Sequence, residues 1–477
     1  MTAARAARLG AAARASAWAM GSAAAAATGL VGYQALRLDV RRQWARAIEL
    51  PPLAAYVEAP SVVEGDPVPV RVHSTAPYRA RLDRLGHGVQ DTGWRAEGGA
   101  CPQAPRYDHW RGCQWPVDLV VDAPGLRSGL HVLTLDQTGD PRQRFRLPLV
   151  VTPREPRRVA VVASTNTWQA YNPFGGFSNY LDTASPHPWR YVKAALQVLN
   201  AHVVVGDRHT VPAAPLPLCR PNLALDADLA DLEASPVADG SHLVKALWPL
   251  LAKLERDSVD AGLFSDHDFA FDHRPTSAEL VVFAPHSEYW AEEMVGRLQA
   301  YLHTEGKVAF LSGNNMYRRV RFDERALGVV DQRVDGAAVA ALLGVAYDAA
   351  GYQSYGGYRV AASDHPFLRG LGVKDGDVIG WVPPSEAPTS PLAGFGASGW
   401  ETDKLHSASG ELTVLAVGTN ASGPAFMVAK PTPGGGWLFN AGSVAFLPWI
   451  AVDPVLEGLV SRLVELALED RSAGSEE

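Results

Sequence analysis

RRVAVVASTNTWQAYNPFGGFSNY, residues Arg157–Tyr180, is the stretch on which the fold reading turns. Val159 to Val162 is an unbroken, Val-rich apolar run, the pattern of a strand buried on both faces. It gives way at once to Ser164-Thr165-Asn166-Thr167-Trp168, then to Ala170-Tyr171-Asn172 and the pair Gly175-Gly176. In open α/β sheets, ligands bind in the crevice beyond the carboxyl ends of the strands. Polar and aromatic residues at that position read as a ligand loop. The plainer reading is a well-packed aromatic turn.

The same signature recurs twice downstream. Leu280-Val-Val-Phe-Ala ends in Pro285-His286-Ser287-Glu288-Tyr289-Trp290, and Gly306-Lys-Val-Ala-Phe-Leu ends in Ser312-Gly313-Asn314-Asn315. Helical periods lie between or beside these strands: Trp189 to Asn200, His242 to Arg256 with Pro249 as a kink, and a segment running to about His303. Strand, helix and strand in short succession imply crossovers and a parallel sheet. If the three strands are neighbours, Thr167 and Tyr171, His286 and Glu288, and Asn314 and Asn315 meet at one sheet edge. A phenol, an imidazole, a carboxylate and amides in one crevice suit a hard metal ion or carbonyl polarisation. The plain alternative gives Glu288 to the positive end of a helix and His286 to its cap.

Upstream, residues 50–152 alternate in the manner of strands, as in Val68-Pro-Val-Arg-Val-His, His131-Val-Leu-Thr-Leu and Phe145-Arg-Leu-Pro-Leu-Val-Val. Glu64-Gly65-Asp66-Pro67 and Pro124-Gly125 mark turns. The expected organisation is therefore multidomain, β followed by α/β. It comprises an N-terminal antiparallel β-sandwich over 50–152 and an α/β domain over 156–470 with a mostly parallel, flavodoxin- or amidotransferase-like sheet. A signal or anchor helix with linker over 1–49 precedes them, and a disordered tail over 471–477 follows.

With 477 residues, 47% of them hydrophobic and 20% charged, the chain has ample material for a large core. A net charge of −8 without basic blocks argues against nucleic acid as a partner. Arg5, Arg8 and Arg14 precede an uncharged, Ala-rich stretch over 15–36 that is long enough to span a bilayer. It reads as an export signal or membrane anchor, which places the chain in the cell envelope. A cytosolic Ala-rich helix is the alternative. Cys101 and Cys113 could bridge in an exported protein, whereas Cys219 reads as structural. Asp91, Asp108 and His109 read as surface groups.

Other motifs are weaker. Ser265-Asp266-His267-Asp268 reads as an acidic turn rather than a metal cluster, and Gly434-Gly435-Gly436 as a turn into a strand. Gly399-Trp400-Glu401-Thr402-Asp403 offers a carboxylate pair suited to base catalysis, or an exposed loop. No phosphate loop and no serine elbow occurs. The absence of a Cys or Ser on a strand-to-helix elbow counts against an amidotransferase mechanism.

Five of these segments, in order, resemble the N,N-dimethylformamidase large (beta) subunit family: Thr165-Asn-Thr-Trp-Gln-Ala-Tyr-Asn with Gly175-Gly176, His286-Ser-Glu-Tyr-Trp, Leu311-Ser-Gly-Asn-Asn, Gly399-Trp-Glu-Thr-Asp and Asn440-Ala-Gly-Ser. The resemblance runs over most of residues 50–465. It implies a hydrolase of a C–N bond in a small N-substituted amide, using a mononuclear iron (Fe3+) held by two tyrosinates and a glutamate. Tyr171 and Glu288 match the first tyrosine and the glutamate ligand. His286, Glu401 and Asn314 become the candidate catalytic residues, and Thr167, Trp168, Asn172, Tyr289 and Asn315 the candidate pocket lining. The family motif ending in Arg-Pro falls at Cys219-Arg220-Pro221-Asn222, where Asn222 has no phenol, so Tyr180 or Tyr191 is left as the candidate third ligand. A small subunit or a homo-oligomer is the implied partner. The second reading is a non-catalytic, envelope-anchored binding protein that kept the scaffold without a complete metal site.

Overall fold

The computed structural model describes residues 50–104, 112–122, 126–174, 216–230, 241–322, 326–352, 354–382 and 396–469. Asp108, His109, Tyr180, Tyr191, the 15–36 stretch, the 189–200 helix and the 471–477 tail lie outside them. The molecule is β-rich, with several sheets and short helices between them.

Up to Thr152 the described residues form strands and turns. One sheet has the order Leu53–Tyr56, Val68–Ser74, Leu119–Val121; the other runs Val62–Val63, Arg144–Thr152, Gly129–Gln137, Tyr78–Gly86, Gly88–Gly98. Tyr56, Val70, Val72, Leu82, Leu133, Phe145 and Val151 meet in one apolar cluster between them. The period-2 alternation of each strand supplies this face. Leu85, Leu130, Val132 and Val150 point the other way and join a second core with Leu247, Trp248 and Leu250 of the helix Val244–Arg256. The Trp248 indole donates to the Gly86 carbonyl at 2.8 Å, and Arg84 forms an ion pair with Glu255. These contacts bind the N-terminal strands to the larger C-terminal part of the chain.

A nine-stranded sheet organises that part: Ala261–Ser265, Val159–Ala163, Leu280–Ala284, Lys307–Phe310, Trp437–Asn440, Phe426–Pro431, Thr413–Gly418, Tyr358–Val360, Val378–Ile379. The first five strands run parallel. The rest pair antiparallel, which corrects the expectation of a mostly parallel sheet. The physical cause is visible at Gly434-Gly435-Gly436. That turn returns the chain from Phe426–Pro431 into Trp437–Asn440 as a hairpin, so the sheet changes there from parallel to antiparallel pairing.

The strands Val159–Ala163, Leu280–Ala284 and Lys307–Phe310 are adjacent and parallel, with Phe283 opposite Val162 on one side and Phe310 on the other. All of Val159–Ala163 and Leu280–Ala284 is buried. This explains their continuous apolar composition. Phe283 stacks on Phe310 at 4.7 Å and meets Phe269 and Trp290 at 4.9 Å, filling the face opposite the helix Val244–Arg256.

One sequence motif proves structural. Ser265 caps the helix Asp266–Phe271 in a capping box with Asp268. Asp266, buried behind it, accepts from the Asn166 amide at 2.8 Å. Burial pushes its carboxyl up to about 8, against that lowering hydrogen bond. Protonated Asp266 is thus the form the fold favours. Its contribution is intact below the unfolded value of about 4 and is lost as pH rises towards 8. The stability of Asp266→Asn relative to wild type should therefore grow between pH 4 and 8 and then level off. Urea midpoints across that window check this, and a constant difference would contradict it.

No disulfide joins Cys101 to Cys113. Cys101 pairs its backbone with Ser74, while the Cys113 amide donates to the Cys219 carbonyl at 2.7 Å. The two cysteines are thus held on different neighbours.

Candidate active site

Because the three parallel strands end side by side, their loops meet. The Val159–Ala163 strand runs into the short helix Thr165–Ala170, whose residues are all buried. Thr167 accepts at its hydroxyl from the Glu288 amide at 3.2 Å, which locks the first loop to the second. The Ser287 amide donates to the Ser312 hydroxyl at 3.3 Å, and the Met316 amide to the Ser287 carbonyl at 2.9 Å, which locks the second to the third. Asn315 reaches Asn440 at 3.5 Å, so the edge extends to the fourth strand, Trp437–Asn440.

At the centre lies His286, which is 0% exposed. Its Nε2 is 3.2 Å from a Glu401 oxygen and 3.7 Å from a Glu288 oxygen. Burial works to lower its pKa, but Glu401, Glu288 and Asp403 outweigh that and leave it raised. Asn314 donates through Nδ2 to the same Glu401 oxygen at 2.8 Å, and its backbone amide donates to Asp403 at 2.7 Å. Asp403 also accepts from Asn315 at 3.2 Å. Burial pushes its carboxyl up to about 6 against these bonds.

The backbone is strained where it carries these groups. Asn314, Met316 and Trp400 adopt positive φ of 52°, 56° and 64°. For a bulky residue such as Trp400 that is unusual and costs on the order of 1–3 kcal/mol. Gly313 is required between them: a Cβ there would stand 2.7 Å from the Ser443 Cα and 2.8 Å from the Glu401 carbonyl oxygen. This close approach brings Glu401 against Asn314.

An aromatic wall closes the crevice. Tyr171 lies 6.2 Å from His286, centroid to centroid, and 4.9 Å from His242. His242 is in turn 5.6 Å from His286 and 4.9 Å from Trp400. Tyr347 stands beyond, its phenol pushed far up by burial and by charges that include Glu401 and Glu288.

The sequence-derived residues therefore separate into two groups. His286, Glu288, Glu401, Asn314, Asn315 and Tyr171 converge. Thr167 braces the Glu288 loop. Trp168 packs into the core on the helix Val244–Arg256 side, and Tyr289 into the core on the opposite face of the sheet. Asn172 is 0% exposed; it accepts from the Phe174 amide at 3.0 Å and donates to the Pro221 carbonyl at 2.9 Å. Asn222 N-caps the helix Leu223–Asp228, accepting from Ala224 and Leu225, and donates to the Trp168 carbonyl at 3.1 Å. Arg220, Pro221 and Asn222 therefore hold the Tyr171 loop in place. His242 went unnoticed in the sequence because it reads as the first residue of an amphipathic helix, although the helix begins at Val244.

Several buried polar atoms here have no hydrogen-bond partner among the described residues: His286 Nδ1, His242 Nε2, Asn314 Oδ1 and Asn315 Oδ1. Orphaned polar atoms are costly and uncommon, and their concentration in one crevice marks a place made to contact something polar. Among the described residues no group of three or more His, Cys, Asp or Glu side chains stands ready to hold a metal. A metal ion here would draw on the Tyr171 phenol as well.

A family model described as N,N-dimethylformamidase beta subunit-like, C-terminal, matches residues 79–454. No curated protein matches the chain. Among solved structures, the N-terminal domain of mmIFT52 aligns with 46% of this chain and 90% of its own at 12% identity and a TM-score of 0.29. A Paenibacillus sp. cycloisomaltooligosaccharide glucanotransferase complexed with cycloisomaltoheptaose aligns with 64% of this chain and 57% of its own at 10% identity and a TM-score of 0.16. At those scores neither likeness bears on fold or function.

Proposed function

Since the chain belongs to the N,N-dimethylformamidase beta subunit-like family, we propose that it hydrolyses the C–N bond of a small N-substituted amide at the His286–Glu288–Glu401 cluster. The observation that carries this reading is the buried imidazole held within 3.2 Å of one carboxylate and 3.7 Å of another. Glu401, oriented by Asn314, takes a proton as water attacks the carbonyl carbon. His286, whose pKa Glu401 and the other nearby carboxylates raise against the lowering effect of burial, gives its proton to the departing nitrogen as the C–N bond breaks. Positioned acids and bases of this kind contribute about 10²–10⁴-fold.

The donor set suits a hard cation, and we place Fe(III) here with Tyr171 and Glu288 among its ligands. Bound iron would supply Lewis-acid chemistry for carbonyl polarisation or water activation. The family description refers to a beta subunit, and a small subunit or a second copy is the proposed partner. Residues 15–36 are proposed to export the chain or attach it to a membrane. Among the described residues no helix is long and apolar enough to cross one.

A binding scaffold without turnover is the second reading, favoured by one observation: Asn222 is committed to capping rather than to the crevice. Amine release from a panel of short N-alkylamides separates the two. Release that Glu401→Gln removes supports the hydrolase; no release from iron-loaded protein across the panel supports the scaffold.

A further inference from the structure

We infer that His242 is a metal ligand in this crevice, completing through an imidazole nitrogen the donor set that Tyr171 and Glu288 begin. The inference rests on the metal-dependent reading of the site and adds to it a residue outside the motifs on which that reading was built.

The first ground is placement. His242 lies between Tyr171 and Trp400, with centroids 4.9 Å from each, and its ring is 5.6 Å from that of His286. It therefore shares the crevice with both carboxylates that flank His286. The second ground is its unused nitrogen. Nε2 is buried and has no hydrogen-bond partner among the described residues. A histidine serving only as packing ordinarily finds a partner for a buried ring nitrogen, because leaving it without one is costly.

The third ground is the rigidity of its mount. Asp228, at the end of the helix Leu223–Asp228, accepts from the Lys245 amide at 2.7 Å and from the Ser241 hydroxyl, while the Leu243 amide donates to Ser241 Oγ at 3.1 Å. Both flanks of His242 are thus tied down before the helix Val244–Arg256 begins. Metal ligands are held in this way by surrounding hydrogen bonds that fix the ring before the ion arrives. Tyr171, His242 and Glu288 make a mixed phenolate, imidazole and carboxylate set, which iron accepts readily.

The test uses the full chain, stripped of metal and titrated with iron, read by metal affinity and by the visible spectrum rather than by turnover. His242→Phe keeps an aromatic ring between Tyr171 and Trp400 but removes the nitrogen. His242→Gln serves if that variant does not fold. The inference expects iron affinity to fall by at least about tenfold, the tyrosinate band to shift, and added imidazole to restore part of both. It expects the melting temperature of the metal-free protein to change little. Wild-type affinity and an unshifted band in either folded variant would overturn the role of His242 while leaving the iron reading standing. Failure of the wild-type chain itself to bind iron would overturn both.

Discussion

His286→Gln is expected to lower turnover of a small N-alkylamide by about 10²–10⁴-fold, the range over which a positioned acid or base acts. The ring is fully buried, so its affinity for a proton is set by its neighbours rather than by solvent. Burial alone would discharge it, and Glu401, Glu288 and Asp403 reverse that outcome. Glutamine keeps much of the volume and a donor but cannot carry the proton. The variant should therefore lose kcat with little change in KM, and it should lose the acidic role that gives the rate its fall at high pH. A variant that raised KM alone would place His286 in substrate binding and remove the acid from the mechanism.

Glu288→Gln carries the second large effect, on metal retention. Glu288 is 3% exposed; its amide is pinned to Thr167, and its carbonyl accepts from the Arg318 amide at 2.9 Å. The backbone therefore fixes where the carboxylate stands, and the substitution changes charge rather than position. Removing an anionic ligand should weaken iron binding by more than about 100-fold, since outer partners alone are worth about 10–100-fold. Equilibrium dialysis against iron, on wild type and variant at one pH, provides the check. Equal retention would remove Glu288 from the ligand set.

How far the sequence revealed this arrangement depended on the kind of signal. The strands Val159–Ala163, Leu280–Ala284 and Lys307–Phe310 were legible because they are buried on both faces, and such strands read as continuous apolar runs. Their adjacency was a condition of the site reading rather than a product of it, and the pairing of Leu280–Ala284 with both neighbours meets that condition. The antiparallel half of the sheet was not legible. Its strands are short, some of only two or three residues such as Tyr358–Val360 and Val378–Ile379, and alternate too briefly to register.

Loop ends announced the convergent residues, but proximity in sequence overstated the pocket. Trp168 and Tyr289 sit beside site residues in the chain yet face opposite cores, because neighbouring side chains on these elements diverge. Asn172 reads as pocket lining on paper and is spent on the Phe174 amide and the Pro221 carbonyl. His242 shows the reverse failure. It approaches the crevice from a helix start whose periodicity concealed it, and contacts distant in sequence, among them Asp228 with Ser241 and Lys245, hold it there.

Metal content together with the visible absorption spectrum of the full chain is the sharpest test of an iron-centred amide hydrolase. About one iron per chain is expected, with a tyrosinate-to-iron charge-transfer band that Tyr171→Phe removes. A colourless protein that takes up no added iron would contradict that reading and leave a binding scaffold in its place.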